Sequence, residues 1–185
     1  MVNDVLKDIE GRMKKTVEVL QHDLSSIRTG RATPALLDRI KVEYYGATLP
    51  LNQLATISAP EARLLTIKPF DAGALGAIEK AIQRSDIGLM PNNDGKIIRL
   101  AIPQLTEERR RELVKVSSKR VEEARVAVRN LRRDGLKDLQ ELEDEDLISE
   151  DKHHRAKDKV QELTDRYIDE VNRVGKAKEA EILEV

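Results

Sequence analysis

Arg125, Arg129, Arg132 and Arg133 stand at i, i+4, i+7 and i+8. On a helix turning about 100° per residue they share an arc of roughly 100°, beside the arc of Val121, Ala124, Val128 and Leu131. The run Ala124–Arg133 holds no acidic residue, although the whole chain balances 33 Lys and Arg against 34 Asp and Glu. Arginine stays charged, and its planar fork takes a phosphate through two parallel hydrogen bonds. A row of such forks on a rigid rod suits an RNA backbone, where affinity comes from phosphate contacts and falls with salt. Arg109, Arg110 and Arg111 add charge upstream, diluted by Glu107, Glu108 and Glu112. The same residues also fit a solvated face paired with carboxylates of neighbouring helices. Three Tyr, one Phe and no Trp leave little surface for stacking bases, which argues against sequence-specific recognition of single strands.

Other chemistry is poorly represented. His22, His153 and His154 are the only histidines, and adjacent residues on a helix point about 100° apart, a poor arrangement for one metal ion. No glycine-rich phosphate loop and no nucleophile motif is present. Glu122-Glu123 and Asp144-Glu145-Asp146 read as solvated surface. The chain has no cysteine, which excludes disulfides, thiolate catalysis and cysteine-based zinc sites. These absences lead to an expectation of no catalysis, no metal and no cofactor. The first residues lack the apolar stretch of a signal peptide. No apolar run approaches the roughly 18–20 residues of a membrane span, so the chain is expected to be soluble and cytoplasmic; a monomer is expected as well.

The elements that must carry the arginines follow from the prolines. All six lie between Pro34 and Pro103, and proline breaks helix interiors. The flanks are therefore free to be long helices. Leu6, Met13, Leu20 and Ile27 repeat every seven residues, with Ile9, Val17 and Leu24 between them. This spacing predicts a helix of about 25 residues, capped by Asn3 and stopped by Gly30. Thr106-Glu107-Glu108 predicts a second helix start, followed by Val114, Val121, Ala124, Val128 and Leu131. Ser149-Glu150-Asp151 predicts a third, leading into Ala156, Val160, Leu163, Tyr167, Val171 and Val174, with the turn near Glu143–Ile148. Three amphipathic stripes can bury one another as an antiparallel bundle. Gly135 and Gly175 count against straight helices, since an interior glycine costs about 1 kcal/mol relative to alanine.

Between the arms the period changes. Ile40–Tyr45 alternates and ends at Gly46, which predicts a strand and a turn. Leu54–Ser58, Leu64–Phe70 and Ile97–Ile102 are further β-type stretches, bounded or edged by Pro60 and Pro69. Leu75, Ile78, Ala81 and Ile82 have helical spacing, ended by Gly88, and Pro91–Gly95 reads as a loop. The expected organisation is α+β: residues 1–29 and 106–185 form the discontinuous helical body, and residues 31–104 form an inserted small domain. Two short connectors join them, Thr29-Gly30-Arg31 and Gln104-Leu105-Thr106, and such a pair is a candidate hinge. On the residues alone, a helical adaptor and a general RNA-binding module both remain open beside any more specific function.

Several segments then converge on one family. They are Ile27-Arg28-Thr29-Gly30-Arg31-Ala32 with Pro34, Val42-Glu43-Tyr44-Tyr45-Gly46, Leu105-Thr106-Glu107-Glu108-Arg109-Arg110, and above all Ala124–Asp134. In these segments, and in their order along essentially the full length, the chain resembles the bacterial ribosome recycling factor family. The resemblance implies an L-shaped molecule, a three-helix bundle with a β/α/β sandwich domain on a flexible double linker. It further implies action on the post-termination ribosome. There such a factor binds large-subunit ribosomal RNA and, with elongation factor G and GTP, separates the subunits, releasing messenger RNA and deacylated transfer RNA. GTP hydrolysis would belong to the partner. Carried over by position, the implied RNA contacts are Arg129 and Arg132, then Arg28, Arg31, Arg109, Arg110, Arg125 and Arg133.

Overall fold

The computed structural model describes residues 1–184; Val185, the last residue of the expected bundle arm, lies outside them. In chain order the elements are α1 (Val2–Ser25), a 3-10 turn (Pro34–Leu37), β1 (Lys41–Tyr44), β2 (Ala47–Pro50), the single turn α2 (Leu51–Leu54), β3 (Ala55–Glu61) and β4 (Leu64–Pro69). A second 3-10 turn (Ala72–Ala74) leads into α3 (Leu75–Arg84), then β5 (Pro91–Asn93), β6 (Ile98–Ala101), α4 (Glu107–Asp144) and α5 (Glu150–Leu183). The chain divides into two compact units, one made of Met1–Thr29 with the chain from Thr106 onward, the other of Gly30–Leu105.

The first unit is a three-helix bundle. Ile9, Met13, Val17, Leu20 and Leu24 of α1 bury against Val121, Val128, Leu131 and Leu139 of α4 and Ala156, Val160, Tyr167 and Val171 of α5. Each such aliphatic side chain contributes roughly 1.5–3 kcal/mol over leaving it in water. Arg12 pairs with Asp134 and Asp23 with Arg120, each at 3.5 Å, so α4 runs antiparallel to α1. Glu10 pairs with Arg166, and the Thr29 hydroxyl donates to Glu181 Oε1 at 2.8 Å, so α5 runs parallel to α1. Thr106 and Ser149 cap α4 and α5, their hydroxyls accepting from the amides of Arg109 and Lys152. Beyond the expected turn, His153 Nδ1 bonds the Glu143 carboxylate, joining the first turn of α5 to the end of α4.

Three expectations about these helices are corrected. Asn3 lies inside α1, which begins at Val2, where the Met1 amine meets Asp4 Oδ2 at 2.7 Å. The helix ends at Ser25, before Gly30. Gly135 and Gly175 interrupt neither α4 nor α5, which run for 38 and 34 residues. Both glycines are buried against side chains of neighbouring helices. A Cβ on Gly135 would overlap Ile9 Cδ1 and come within 3.1 Å of its Cγ1. A Cβ on Gly175 would lie 2.8 Å from Val121 Cγ2. The propensity lost at each glycine is offset by a close helix approach that any larger residue would prevent.

The second unit holds two antiparallel sheets, the hairpin β1–β2 and a four-stranded sheet in the order β3-β4-β6-β5. Ile67, Ile98 and Leu100 from the larger sheet, Val42 from β1 and Ile78 and Ile82 from α3 form its core. Pro60 sits inside β3, at the irregularity between Ser58 and Glu61. An edge strand tolerates this, because one side of its ladder is unpaired. Pro91–Asn93, expected as loop, is the edge strand β5, and α3 ends at Arg84, before Gly88. The β1–β2 loop has only two residues, Tyr45 at φ 48° and Gly46 at φ 76°. Two positive φ values are what a type I′ hairpin turn requires, and asparagine or glycine usually supplies both. A bulky L-residue at the first position carries a strain of about 1 kcal/mol or more.

Candidate nucleic-acid interface

The arginine row lies on α4, flanking the groove toward α5. Arg132 falls nearest the buried stripe and is half-buried, whereas Arg129 and Arg133 are exposed and Arg125 lies between, with about a third of its side chain exposed. Two acceptors hold the Arg125 fork. Its Nε donates to Asn172 Oδ1 of α5 at 2.8 Å and its Nη1 to Glu122 Oε2 at 2.8 Å. The other oxygen of Glu122 accepts from Arg129 Nη1 at 3.4 Å. The hydrogen bond from Arg125, reinforced by both positive charges, keeps the Glu122 carboxylate below its ordinary titration range. Arg133 donates to Asn130, and the buried Arg132 Nε has no hydrogen-bond partner. The patch thus sets four guanidiniums against one carboxylate, and the carboxylate orients two of them.

The other expected contacts are Arg28, Arg31, Arg109 and Arg110. Arg109 pairs with Glu112 at 2.9 Å and Arg111 with Glu107, so the start of α4 is largely neutralised. Arg110 is half-buried, its Nε also without a hydrogen-bond partner. Arg28 and Arg31 are exposed, one in each unit. Next to Arg125 the α4–α5 interface opens into a groove of about 320 Å³, lined by Ser117, Ser118, Asn172, Lys176 and Glu179.

Sequence reasoning missed Glu122, which stands outside the acid-free run but one helical turn before Arg125 and two before Arg129. The i, i+3 and i, i+7 spacings carried that signal. Asn172 left none, because it reaches Arg125 across the helix pair.

The connector residues have fixed surroundings within their own units. Thr29 is held by Glu181, whose second oxygen lies 3.4 Å from the Nζ of the buried Lys178. Gly30 takes φ 75°, and a Cβ there would sit 3.2 Å from Leu105 Cγ and 3.6 Å from the Pro103 carbonyl oxygen. The two strands of chain therefore run side by side. Gln104 is exposed, Leu105 is half-buried, and Thr106 caps α4. No helix among the described residues is long and apolar enough to cross a membrane.

Residues 20–183 match the model of the family described as ribosome recycling factor. The ribosome-recycling factor of Roseiflexus castenholzii is 60% identical over 185 residues, covering all of both chains. That of Carboxydothermus hydrogenoformans is 58% identical over the same span, again complete for both. Among solved structures, a solution structure of the ribosome recycling factor is 48% identical with a TM-score of 0.72, covering 100% of this chain and 98% of that one. A second structure, of the T. thermophilus ribosome recycling factor and the E. coli elongation factor G bound to the E. coli post-termination complex, matches with 47% identity and a TM-score of 0.62, covering 100% of both chains.

Proposed function

The chain belongs to the ribosome recycling factor family, and from that premise we propose that it binds the post-termination ribosome and, with elongation factor G and GTP, splits it into subunits. Messenger RNA and deacylated transfer RNA are released as the subunits part. The bundle anchors on large-subunit ribosomal RNA through Arg125, Arg129, Arg132 and Arg133, supported by Arg28, Arg109 and Arg110 of the same unit and by Arg31 of the other. The observation that carries the anchoring is the patch of four guanidiniums against one carboxylate on a single uninterrupted helix. Phosphates recognise fixed charge-assisted donors, and a guanidinium already held by Glu122 and Asn172 loses little freedom when it meets one.

The two units move about the connectors at 29–31 and 104–106. The elongation factor displaces the unit of strands, and the bundle transmits that displacement to contacts bridging the ribosomal subunits. Rigidity matters here, because a kinked α4 would absorb the movement. GTP hydrolysis is the partner's chemistry, and this chain supplies anchor and lever.

The test is binding to purified large subunits over a range of salt, together with splitting of post-termination ribosomes. Each charge-assisted hydrogen bond to a phosphate is worth about 1.5 kcal/mol, so the Arg129→Ala, Arg132→Ala double variant should bind roughly a hundredfold more weakly. The salt dependence becomes shallower as fewer phosphates are neutralised. Unchanged affinity with an unchanged salt slope refutes the anchoring role.

A further inference from the structure

α5 sorts its surface charges onto two flanks. Arg166 meets Glu10 of α1 and Asn172 meets Arg125 of α4, which fixes the neighbour that each flank faces. Lys152, Lys159, Arg166 and Arg173 repeat every seven residues, with Arg155 beside them. On a helix these five share an arc of roughly 60° on the α1 flank, over a length of about 32 Å. Glu170 is the one acid inside that arc, and Glu162 borders it. Asp158, Asp165 and Asp169 fall on the other flank, toward α4. Across the groove, Lys7 and Lys14 lie one turn either side of Glu10 and add two cations from α1. Arg166 is tied to Glu10, whereas Lys7, Lys14, Lys152, Lys159 and Arg173 make no ion pair among the described residues.

The stripe ends in a cleft of about 390 Å³ between the start of α1, the α4–α5 turn and the first turns of α5. Val2, Leu147, Ile148 and Ala156 give it apolar walls, and Leu147 is 46% exposed. Lys152, Arg155 and Lys159 stand at its rim, and no carboxylate lines it. Asp4 and Asp151 lie nearby in sequence, but Asp4 holds the Met1 amine at 2.7 Å and Asp151 lies 3.9 Å from Arg155. Asp146 and Glu150 adjoin the same segments without lining the cleft.

A row of cations matches a linear polyanion, and an apolar hollow at its end matches a flat, uncharged group carried by that polyanion. A single RNA strand supplies both, phosphates for the row and an unpaired base for the hollow. A duplex has no free base to give. A membrane surface would call for apolar side chains along the whole stripe, and here they are confined to one end. Protein interfaces favour aromatic residues and disfavour lysine, the reverse of this flank. We propose that the α1–α5 flank is a second RNA site, separate from the arginine row on α4. A single strand lies along Lys159, Arg166 and Arg173 and seats one unstacked base in the cleft at the bundle tip. The site stands on its own residues, and its place on the ribosome rests on the function proposed above.

Titration of the full chain with hexauridylate, followed by methyl resonances, tests the site directly. Val2, Leu147 and Ile148 should shift with hexauridylate but not with a linear polyphosphate of matched charge, which carries no bases. The variant Lys152→Gln, Lys159→Gln, Arg173→Gln should bind hexauridylate about tenfold more weakly, with a log–log salt slope shallower by about 2. The control Lys15→Gln, Lys119→Gln, Lys137→Gln loses the same charge elsewhere on the bundle and should stay within about twofold. Equal weakening by the control overturns the inference, as do shifts confined to the arginine row or cleft shifts that polyphosphate reproduces. Sedimentation with anionic phospholipid vesicles, without any response to hexauridylate, overturns it in favour of a membrane. On post-termination ribosomes a photo-crosslinker at position 159 should mark RNA, and marking of protein alone overturns the assignment. Wild-type protein that fails to split ribosomes refutes the recycling function, while the hexauridylate titration still decides the site.

Discussion

Replacing Gly135 by alanine sets two effects of similar size against each other. In an exposed helix the change would stabilise by about 1 kcal/mol. Here the new methyl overlaps Ile9 Cδ1, and Ile9 is only 1% exposed, so its end has no free space to retreat into. Inserting a methyl into a packed core costs about 1–3 kcal/mol, and outright overlap places this site at the upper end. The expected net loss is about 2 kcal/mol. Ile9→Val removes the overlapping atom and costs about 1 kcal/mol alone. If the sites were independent, the double variant would lose about 3 kcal/mol. With Cδ1 gone, the nearest side-chain atom in the structure is Cγ1 at 3.1 Å, which a shift of a few tenths of an ångström relieves. The double variant should then be no less stable than Ile9→Val, a coupling of roughly 2–3 kcal/mol. Urea unfolding, followed by the far-ultraviolet circular dichroism that the three long helices dominate, measures all four proteins. Additivity within about 0.5 kcal/mol, or a stabilised Gly135→Ala variant, refutes the close-approach account.

Three further outcomes are expected. Gly30→Ala forces an L-residue to φ 75° against Leu105 and the Pro103 carbonyl; thermal unfolding should show a loss of about 1–2 kcal/mol. The Asp94 carboxyl lies well below the ordinary range, first through Arg99 at 2.7 Å and then through the Ile97 and Lys96 amides. A lowered folded value means stabilisation that is present above about pH 4 and lost as pH falls through the folded value. The gap in urea midpoint between wild type and Asp94→Asn should therefore be constant near neutrality and close in acid; a gap that widens in acid contradicts this sign. His153→Ala removes the Nδ1 bond to the half-buried Glu143 carboxylate, which keeps only the longer bond from Gln140 Nε2 at 3.3 Å. A loss of about 1.5–3 kcal/mol follows, with faster amide hydrogen exchange at the α4–α5 turn as its local signature.

The helices were legible because each buries one face for its whole length, so the 3.6-residue period persists through Ile9–Leu24, Val121–Leu131 and Ala156–Val171. The caps Thr106 and Ser149 were legible because their chemistry is local. Gly135 and Gly175 misled because the cost of glycine lies in its own helix while its use lies in a neighbour's side chain. β2 and β5 were missed for a related reason. They are four and three residues long and include prolines, and they exist because β1 and β6 offer them a ladder. At the arginine row, spacing brought the cations to one face, but which of them are tethered depends on Glu122 and on Asn172 of another helix.

The bundle is built from the two ends of the chain, with a continuous unit between them. That order has a consequence during synthesis. α1 leaves the ribosome first, carrying Ile9, Met13, Val17, Leu20 and Leu24 with nothing to cover them. Its partners on α4 follow roughly 100 residues later, a delay of about 5–20 s at translation rates of about 5–20 residues per second. The intervening unit has its whole core within one stretch of chain and can close during that interval. The nascent protein therefore passes through a state with one finished unit and one greasy, unpartnered helix, whose apolar stripe is open to aggregation until its partner helices emerge.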